Sequence, residues 1–194
     1  MLRGMVFVDY MNFNISFCNL YPGEKRPKLD YAKLFNGIVK IRPDTEQLKT
    51  FIFAPKPDDF LMGDSYLSGY YNWLQKLNQI RYLDVVEGRY LARPTNTKEE
   101  MKIDDKTTYY KVEKGTDVNF ATNALIKAYN NSYDVAFVMS GDSDYKPVYE
   151  QLRNMGKIVV LVTVKGQNAL AIRDSVDDYI ILNEKFFAKY SQLN

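Results

Sequence analysis

The chain has 194 residues, of which 46% are hydrophobic and 26% are charged, a composition typical of one globular domain spanning residues 1–194. Its longest apolar run, IVVLVTV at 158–164, is much shorter than the roughly 20 residues that cross a membrane, so we expect no membrane association. The net charge of +2 implies no partner by itself, but the absence of histidine excludes catalysis by an imidazole base.

The cysteine content and the first residues indicate where the protein works. The sequence has one cysteine, Cys18, so no internal disulfide can form, as is usual in a reducing compartment. The opening sequence MLRGMVFVDYMN lacks the long apolar region and the cleavage site of a signal peptide. We therefore expect a cytoplasmic protein.

Short apolar runs alternate along the chain with segments of helical periodicity. Taken in chain order, the predicted elements are strand 5–8, helix 30–40, strand 49–54, helix 64–79, strand 83–88, helix 117–130, strand 134–140, helix 145–154 and strand 157–164. The polar stretch 93–108 lacks periodicity and is predicted to be a mobile loop or a hairpin. This alternation favours a mostly parallel sheet with helices on both faces.

Acidic and amide side chains follow the predicted strands at their carboxyl ends. Asp9 and Asn12 come after the first strand, and Asp142 and Asp144 come after the fourth. Asp117 opens a predicted helix directly after a Lys-Gly turn. Because ligands of open parallel sheets bind outside the carboxyl ends of the strands, we expect these side chains to meet at that edge.

Each of these side chains also has an ordinary structural explanation. Asp117 suits the first turn of a helix, Asp9 suits a turn, and Ser143 or Asp144 suits a helix cap. Three acidic segments at one edge, without a matching basic set, would repel one another unless a cation neutralised them. Oxygen ligands of this kind suit Mg²⁺ or Mn²⁺, so the pattern predicts a site for such a cation.

At these residues the sequence resembles the NYN domains of the LabA-like group, which belong to the PIN-like nuclease superfamily. The matching segments are FVDYMN, KGTDV, VAFVMSGDSDYKPVYEQLRNMGKIVVLV and the tail NALAIRDSVDDYIIL. The resemblance implies a PIN-like three-layer α/β/α fold with a mostly parallel central sheet, and divalent-metal-dependent cleavage of RNA. It also implies that both the catalytic residues and the ligands of Mg²⁺ or Mn²⁺ are Asp9, Asp117, Asp142 and Asp144.

The sequence departs from the family pattern at one position. The family commonly has a further aspartate six residues after the one in the K-G-x-D motif, and here that position is Asn123. An asparagine can coordinate through its carbonyl oxygen, but it has no charge and cannot act as a base. The departure therefore argues against full occupancy by a second metal ion.

Other polar residues are candidates for contact with the substrate. Asn12 and Ser140 are expected to orient metal ligands or the scissile phosphate. Lys114 is placed to meet a non-bridging phosphate oxygen, although a solvated surface lysine explains it equally well. Of the tyrosines, Tyr10 and Tyr145 flank the acidic segments and are the ones to test for stacking on a base.

Three functions remain open on the sequence. The first is a metal-dependent ribonuclease, with RNA as its partner and DNA not excluded. The second is a binding module for RNA or protein that keeps the fold but has weak or no catalysis, as Asn123 would favour. The third is a small-molecule phosphatase, which would need an enclosed pocket where a nuclease needs an open groove. A homodimer is also left open.

Overall fold

The computed structural model describes residues 1–23 and 26–191, which form a seven-stranded sheet with helices on both faces. In chain order the strands are β1 (Leu2–Asp9), β2 (Thr45–Pro57), β3 (Leu83–Pro94), β4 (Tyr109–Lys114), β5 (Val135–Met139), β6 (Ile158–Val164) and β7 (Asp178–Leu182). The helices are α1 (Tyr10–Leu20), α2 (Tyr31–Val39), α3 (Ser65–Leu77), α4 (Thr116–Tyr129), α5 (Lys146–Asn154) and α6 (Glu184–Lys189). Three short 3₁₀ turns lie at Leu61–Gly63, Ser143–Tyr145 and Leu170–Ser175.

The strand order in the sheet is β4-β3-β2-β1-β5-β6-β7, with β1 at the centre. Five of the neighbouring pairs are parallel, and only β3 with β4 is antiparallel. The chain leaves β1 toward β2 on one side and later returns to β5 on the other. The crevice between the carboxyl ends of β1 and β5 is therefore the topological switch point, where sheets of this kind bind ligands.

The sheet divides the core into two layers. Alternation along β1 sends Val6 and Val8 into an apolar cluster that includes α1 and α2, while Phe7 enters the cluster under α4 and α5. Because β5 is buried along its whole length, it reads as an unbroken apolar run, as central parallel strands do. The predicted three-layer α/β/α architecture with a mostly parallel sheet is confirmed.

The five predicted strands and four predicted helices are all present, but four further elements were not predicted. These are α1, β4, β7 and α6. The stretch predicted as a loop or hairpin is the connection of an antiparallel hairpin, because β3 continues to Pro94 and pairs with β4. Within residues 1–23 and 26–191, no helix is long and apolar enough to cross a membrane.

Candidate active site

Asp9 is the innermost acid of the switch-point crevice. It ends β1, caps α1 by accepting a hydrogen bond from the Asn12 backbone N–H at 3.2 Å, and is only 7% exposed. Ser140, the residue directly after β5, donates its hydroxyl to Asp9 Oδ2 at 3.0 Å and is itself buried. The register of β1 beside β5 thus places two side chains that are 131 residues apart in direct contact.

Asn12 joins the ends of three strands through its amide oxygen. Its Oδ1 accepts a hydrogen bond from the Gly141 backbone N–H at 2.9 Å and another from the side-chain amide of Gln167, which follows β6. A Cβ at Gly141 would lie 2.7 Å from the Gln167 amide, so only glycine allows this close approach. Asn12 therefore fixes the turn after β5 rather than pointing its oxygen freely into the cleft.

The turn after β5 carries the next two acids. The Asp142 backbone N–H donates to the Ser140 hydroxyl at 3.2 Å, and Asp142 Oδ1 accepts the Asp144 N–H at 2.9 Å. Asp142 thus caps the short 3₁₀ turn that leads into α5. Asp144 lies on the exposed side of the same turn and does not line the cleft.

Asp117 reaches the same place from α4. Gly115, with a φ of +80°, turns the chain so that α4 begins at Thr116. The buried Tyr145 donates its hydroxyl to Asp117 Oδ1 at 2.8 Å, while its ring packs on Phe120 with the centroids 4.4 Å apart. Burial, together with the negative charges of Asp9 and Asp117, raises the pKa of Tyr145, so this hydroxyl keeps its proton and remains a donor.

Asp9, Asp117 and Asp142 line one cleft of about 260 Å³, and Asn12 lies on its wall with them. Glu113, the residue before the end of β4, adds a fourth carboxyl group that the sequence did not indicate. The cleft is open to solvent on the side where Glu113 and Asp117 are exposed. In the part of the chain that the structure describes, no three acidic, cysteine or histidine side chains lie close enough to enclose a metal ion.

The cleft holds its carboxyl groups at a cost in free energy. The pKa of Asp9 is raised to about 6, mainly by burial and to a lesser degree by the charges of Asp117 and Glu113, while the hydrogen bonds from Asn12 and Ser140 oppose the shift. Burial and the charge of Asp117 also raise the pKa of Glu113. Carboxyl groups with raised pKa values favour a proton or a bound cation.

Two other predicted residues lie outside the cleft lining. Lys114 follows Glu113 on β4, and because side chains alternate along a strand, it points to the opposite face of the hairpin. Tyr10 is buried on the α1 side of the sheet, where its ring packs against Tyr70 and Trp73 with centroids 5.9 and 5.0 Å away. Tyr10 therefore has no free face for a base.

Asn123 also lies away from the carboxyl groups. Its amide nitrogen donates to the Asn119 carbonyl of its own helix at 3.0 Å, and its oxygen accepts from Lys127 Nζ at 3.1 Å. Lys127 in turn lies 4.4 Å from the centroid of the Phe51 ring, beside β2. The side chain of Asn123 thus makes its hydrogen bonds within the middle of α4, more than one turn beyond Asp117.

The sequence analysis did not identify two residues of the site. Glu113 could have been found from the alternation of side chains along its strand. It lies four residues before Asp117, on a segment that ends at the same turn. Gln167 gave no signal apart from its position after the last of the predicted strands. Its contact with Asn12 depends on the neighbour relations of β1, β5 and β6.

The NYN domain model matches residues 3–183 of the chain. The protein belongs to the NYN domain family. This assignment makes it a nuclease-like domain, a hydrolase in the broad sense, of a family that generally acts on RNA. No curated protein matches its sequence.

Two solved structures are similar to this NYN domain to different extents. The crystal structure of a protein of unknown function, VPA0982 from Vibrio parahaemolyticus RIMD 2210633, aligns over 95% of both chains with a TM-score of 0.59 at 16% identity. At this identity the likeness concerns the fold alone. A NAD-dependent persulfide reductase from A. fulgidus aligns over 93% of this chain and 39% of its own with a TM-score of 0.28 at 8% identity, too low to support an argument.

Proposed function

We propose that this NYN domain is a divalent-metal-dependent ribonuclease of the LabA-like group, acting on RNA in the cytoplasm. The observation that carries the proposal is the convergence of Asp9, Asp117 and Asp142 on one open cleft at the switch point of the sheet. These residues come from three separate chain segments, and a structural role for each one alone does not account for their convergence. PIN-like nucleases usually use divalent metals.

The donor chemistry of the cleft fits Mg²⁺ or Mn²⁺. Its lining offers carboxylate oxygens and no thiolate or imidazole donor, and carboxylate oxygens are the ligands that these hard cations prefer. The buried Asp9 carboxylate, with its raised pKa, is stabilised when a positive charge lies beside it. Bound there, the cation would lower the pKa of a water molecule and offset negative charge on the scissile phosphate.

The chain's own residues would divide the remaining tasks. Asp9, Asp142 and Asp117 would hold the cation, with Asp9 kept in place by Ser140. Tyr145 fixes the direction of the Asp117 carboxylate through its 2.8 Å hydrogen bond.

The remaining candidates would act at the edges of the site. Asp144, on the outer side of the turn, would contribute charge at the cleft entrance, and Glu113 would be a further acidic ligand or base. Asn12, which anchors the turn after β5, would keep the cleft wall in position, and Lys114 would meet the substrate beyond the cleft.

A second candidate function is an RNA- or protein-binding module with weak or no catalysis. The observation that favours it is that, within the described residues, no three carboxyl groups form a ready-made metal cluster. The substitution of Asn123 for the family aspartate points in the same direction. A small-molecule phosphatase is less well supported, because the cleft is open on one side.

The ribonuclease and the binding module differ in whether they cleave RNA. Purified protein is incubated with end-labelled RNA and DNA, each single- and double-stranded, in Mg²⁺, Mn²⁺ or EDTA. We expect RNA to be cleaved in the presence of either cation and to stay intact in EDTA. Intact RNA under every condition, combined with measurable RNA binding, would favour the binding module instead.

The matched pair of variants for this assay is Asp142→Asn and Asp104→Asn. Asp142→Asn keeps an oxygen that can accept the Asp144 N–H but removes one negative charge from the cleft, so we expect cleavage to fall on the order of 100-fold or more. Stability without metal should be equal or higher, because the remaining carboxylates repel one another less. Asp104 is exposed in the β3–β4 connection, and its variant should cleave normally.

A further inference from the structure

Three basic side chains form a row across the end of the sheet. Lys56 on β2 is the register partner of Arg89 on β3, and Arg89 is the register partner of Lys114 on β4. Residues directly opposite in neighbouring strands point to the same face, and the strands are ~4.8 Å apart, so the row covers about 10 Å. All three side chains are exposed.

The positive charges of this basic row have no acidic partner. In the described part of the chain, none of Lys56, Arg89 and Lys114 forms an ion pair. Glu87, two residues before Arg89 on the same face of β3, accepts hydrogen bonds from the Tyr71 hydroxyl and the Gln75 amide. Like charges directly opposite each other destabilise a sheet, so the row is a position where an external anion would be stabilising.

The same face continues along the β3–β4 hairpin. Leu91 lies opposite Val112, and Arg93 lies opposite Tyr110, whose side chain is 53% exposed. The other face of the hairpin is covered in part, because Ala92 and Tyr109 pack on Leu61 and Leu67, while Glu113 on that face is exposed. The face of the basic row carries basic, aliphatic and aromatic side chains.

The basic row meets the cleft only at the turn after β4, because the Lys114 side chain lies on the face opposite Glu113. Lys114 lies between Glu113 and Gly115 in the chain, and both of these residues line the cleft. The cleft itself is acidic and repels a phosphate backbone in the absence of a cation. Attraction for a nucleic acid must then come from outside the cleft, and the basic row ends at the turn that borders it.

We propose that the basic row, extended by Arg93 and Tyr110, docks the phosphate backbone of a single-stranded nucleic acid and leads it to the cleft. The inference rests on the proposed function, since it assigns that site's substrate to single strands. Lysine and arginine side chains in a row suit successive phosphates of one strand. The exposed Tyr110 ring offers a stacking surface that unpaired bases can reach.

The test measures binding without metal, so that cleavage plays no part. A fluorescein-labelled single-stranded RNA and the corresponding duplex are titrated with protein in EDTA at several NaCl concentrations. The row variant is Lys56→Gln/Arg89→Gln/Lys114→Gln. Its control, Lys40→Gln/Lys76→Gln/Arg81→Gln, removes three charges from exposed positions at the ends of α2 and α3 and just before β3, and each variant lowers the net charge from +2 to −1.

We expect the row variant to bind the single strand on the order of 10-fold or more weakly at low salt, with a salt slope lower by about 2 in magnitude. The control should bind as the wild type does, apart from a small uniform loss. Tyr110→Ala should weaken single-strand binding on the order of 10-fold and leave duplex binding unchanged. Equal binding by the row variant and the control would overturn the docking surface, and equal affinity of the wild type for single strand and duplex would overturn the single-strand assignment.

These results are separable from the test of catalysis. If the wild type cleaves RNA but the row variant binds and cleaves like the control, the docking surface is rejected and the ribonuclease stands. If the wild type binds RNA without cleaving it and the row variant loses that binding, the ribonuclease is rejected and the docking surface stands. Melting temperatures of both triple variants show whether each is folded.

Discussion

The Asp9 carboxyl group accepts two hydrogen bonds and is almost fully buried. Because burial raises its pKa to about 6, the native protein holds a proton there over a range in which the unfolded chain, with an ordinary pKa of 3.8, has lost it. Unfolding in that range releases a proton, so the free energy of unfolding falls as the pH rises from about 4 to about 6. Above that range this contribution is constant, and the cost amounts to roughly 3 kcal/mol.

We predict that Asp9→Asn removes this dependence on pH. The amide oxygen can accept the Asn12 N–H, and the Ser140 hydroxyl can turn to accept from the amide nitrogen. In EDTA at pH 7 the variant should be more stable than the wild type by roughly 2–3 kcal/mol, and the difference should vanish near pH 4. Urea unfolding at several pH values measures it, and a constant difference across the range would show that the Asp9 pKa is not raised.

The side chain of Asn123 leads to a different prediction. Since it bonds with Lys127 and its own helix, Asn123→Asp should form an ion pair with Lys127 and should not add a metal ligand. The Mg²⁺ concentration for half-maximal cleavage should therefore equal that of the wild type within twofold. A clear fall in that concentration would mean that residue 123 reaches the cleft, and a second metal ion would then be the better interpretation.

At the level of the elements, the position of Asp117 depends on how closely α4 approaches β3. A Cβ on Gly88 would lie 2.1 Å from the Thr116 Oγ1 and 2.9 Å from the Thr116 backbone nitrogen. The absence of a side chain at Gly88 is thus what lets the first turn of α4 rest on the strand. The hydrogen bond from the Asn119 side chain to the Glu87 carbonyl, at 3.0 Å, secures the same contact.

We predict that Gly88→Ala pushes the start of α4 away from β3. The crowding should destabilise the fold by about 1–3 kcal/mol, and it should raise the Mg²⁺ concentration needed for cleavage because Asp117 moves with the turn. Gly69→Ala is the matched control, since a Cβ there meets nothing within 4 Å on α3 and should stabilise the helix by about 0.5–1 kcal/mol. A Gly88→Ala protein with wild-type stability would show that the contact is not tight.

The elements also show which parts of the fold the sequence could reveal. Strands at the centre of the sheet, such as β5, are apolar throughout, and α3 and α5 have clear helical periodicity. Helix α1 was missed because it follows β1 without a connecting loop, and its buried residues, Tyr10, Phe13 and Phe17, merge with the apolar run before them. Strand β4 was missed because its outer face is polar, and its pairing with β3 is what makes it a strand.

For the site, the sequence indicated three of the four acids that line the cleft, but only some of the residues that hold them in place. Asp9, Asp117 and Asp142 were found because carboxylates after strands and at helix starts are visible in a linear chain. The hydrogen bonds from Tyr145 to Asp117 and from Gln167 to Asn12 depend on which elements become neighbours, and no local pattern in the sequence shows those neighbour relations. The position of Asn123 on α4 was also open, because helix packing decides its direction.

At the scale of the whole molecule, a cation that binds only the native state must raise its stability. We predict that millimolar Mg²⁺ or Mn²⁺ raises the melting temperature by roughly 5–10 °C at a hundredfold excess over Kd, since this excess adds about 2.7 kcal/mol. Differential scanning fluorimetry with NaCl of matched ionic strength separates specific binding from screening. Asp142→Asn should show a smaller rise, and a melting temperature that neither cation changes would count against a functional metal site.

The central place of β1 has a consequence for the order in which the protein can be made. Strand β1 is synthesised before β5 and must wait for it, because the Asp9–Ser140 contact joins residues 131 positions apart and the Asn12–Gln167 contact spans 155. Topologies dominated by such distant pairings fold slowly, since a long stretch of chain must close before the contacts form. The cleft therefore cannot form on a nascent chain until Asp142 and the residues that support it have been synthesised, long after β1.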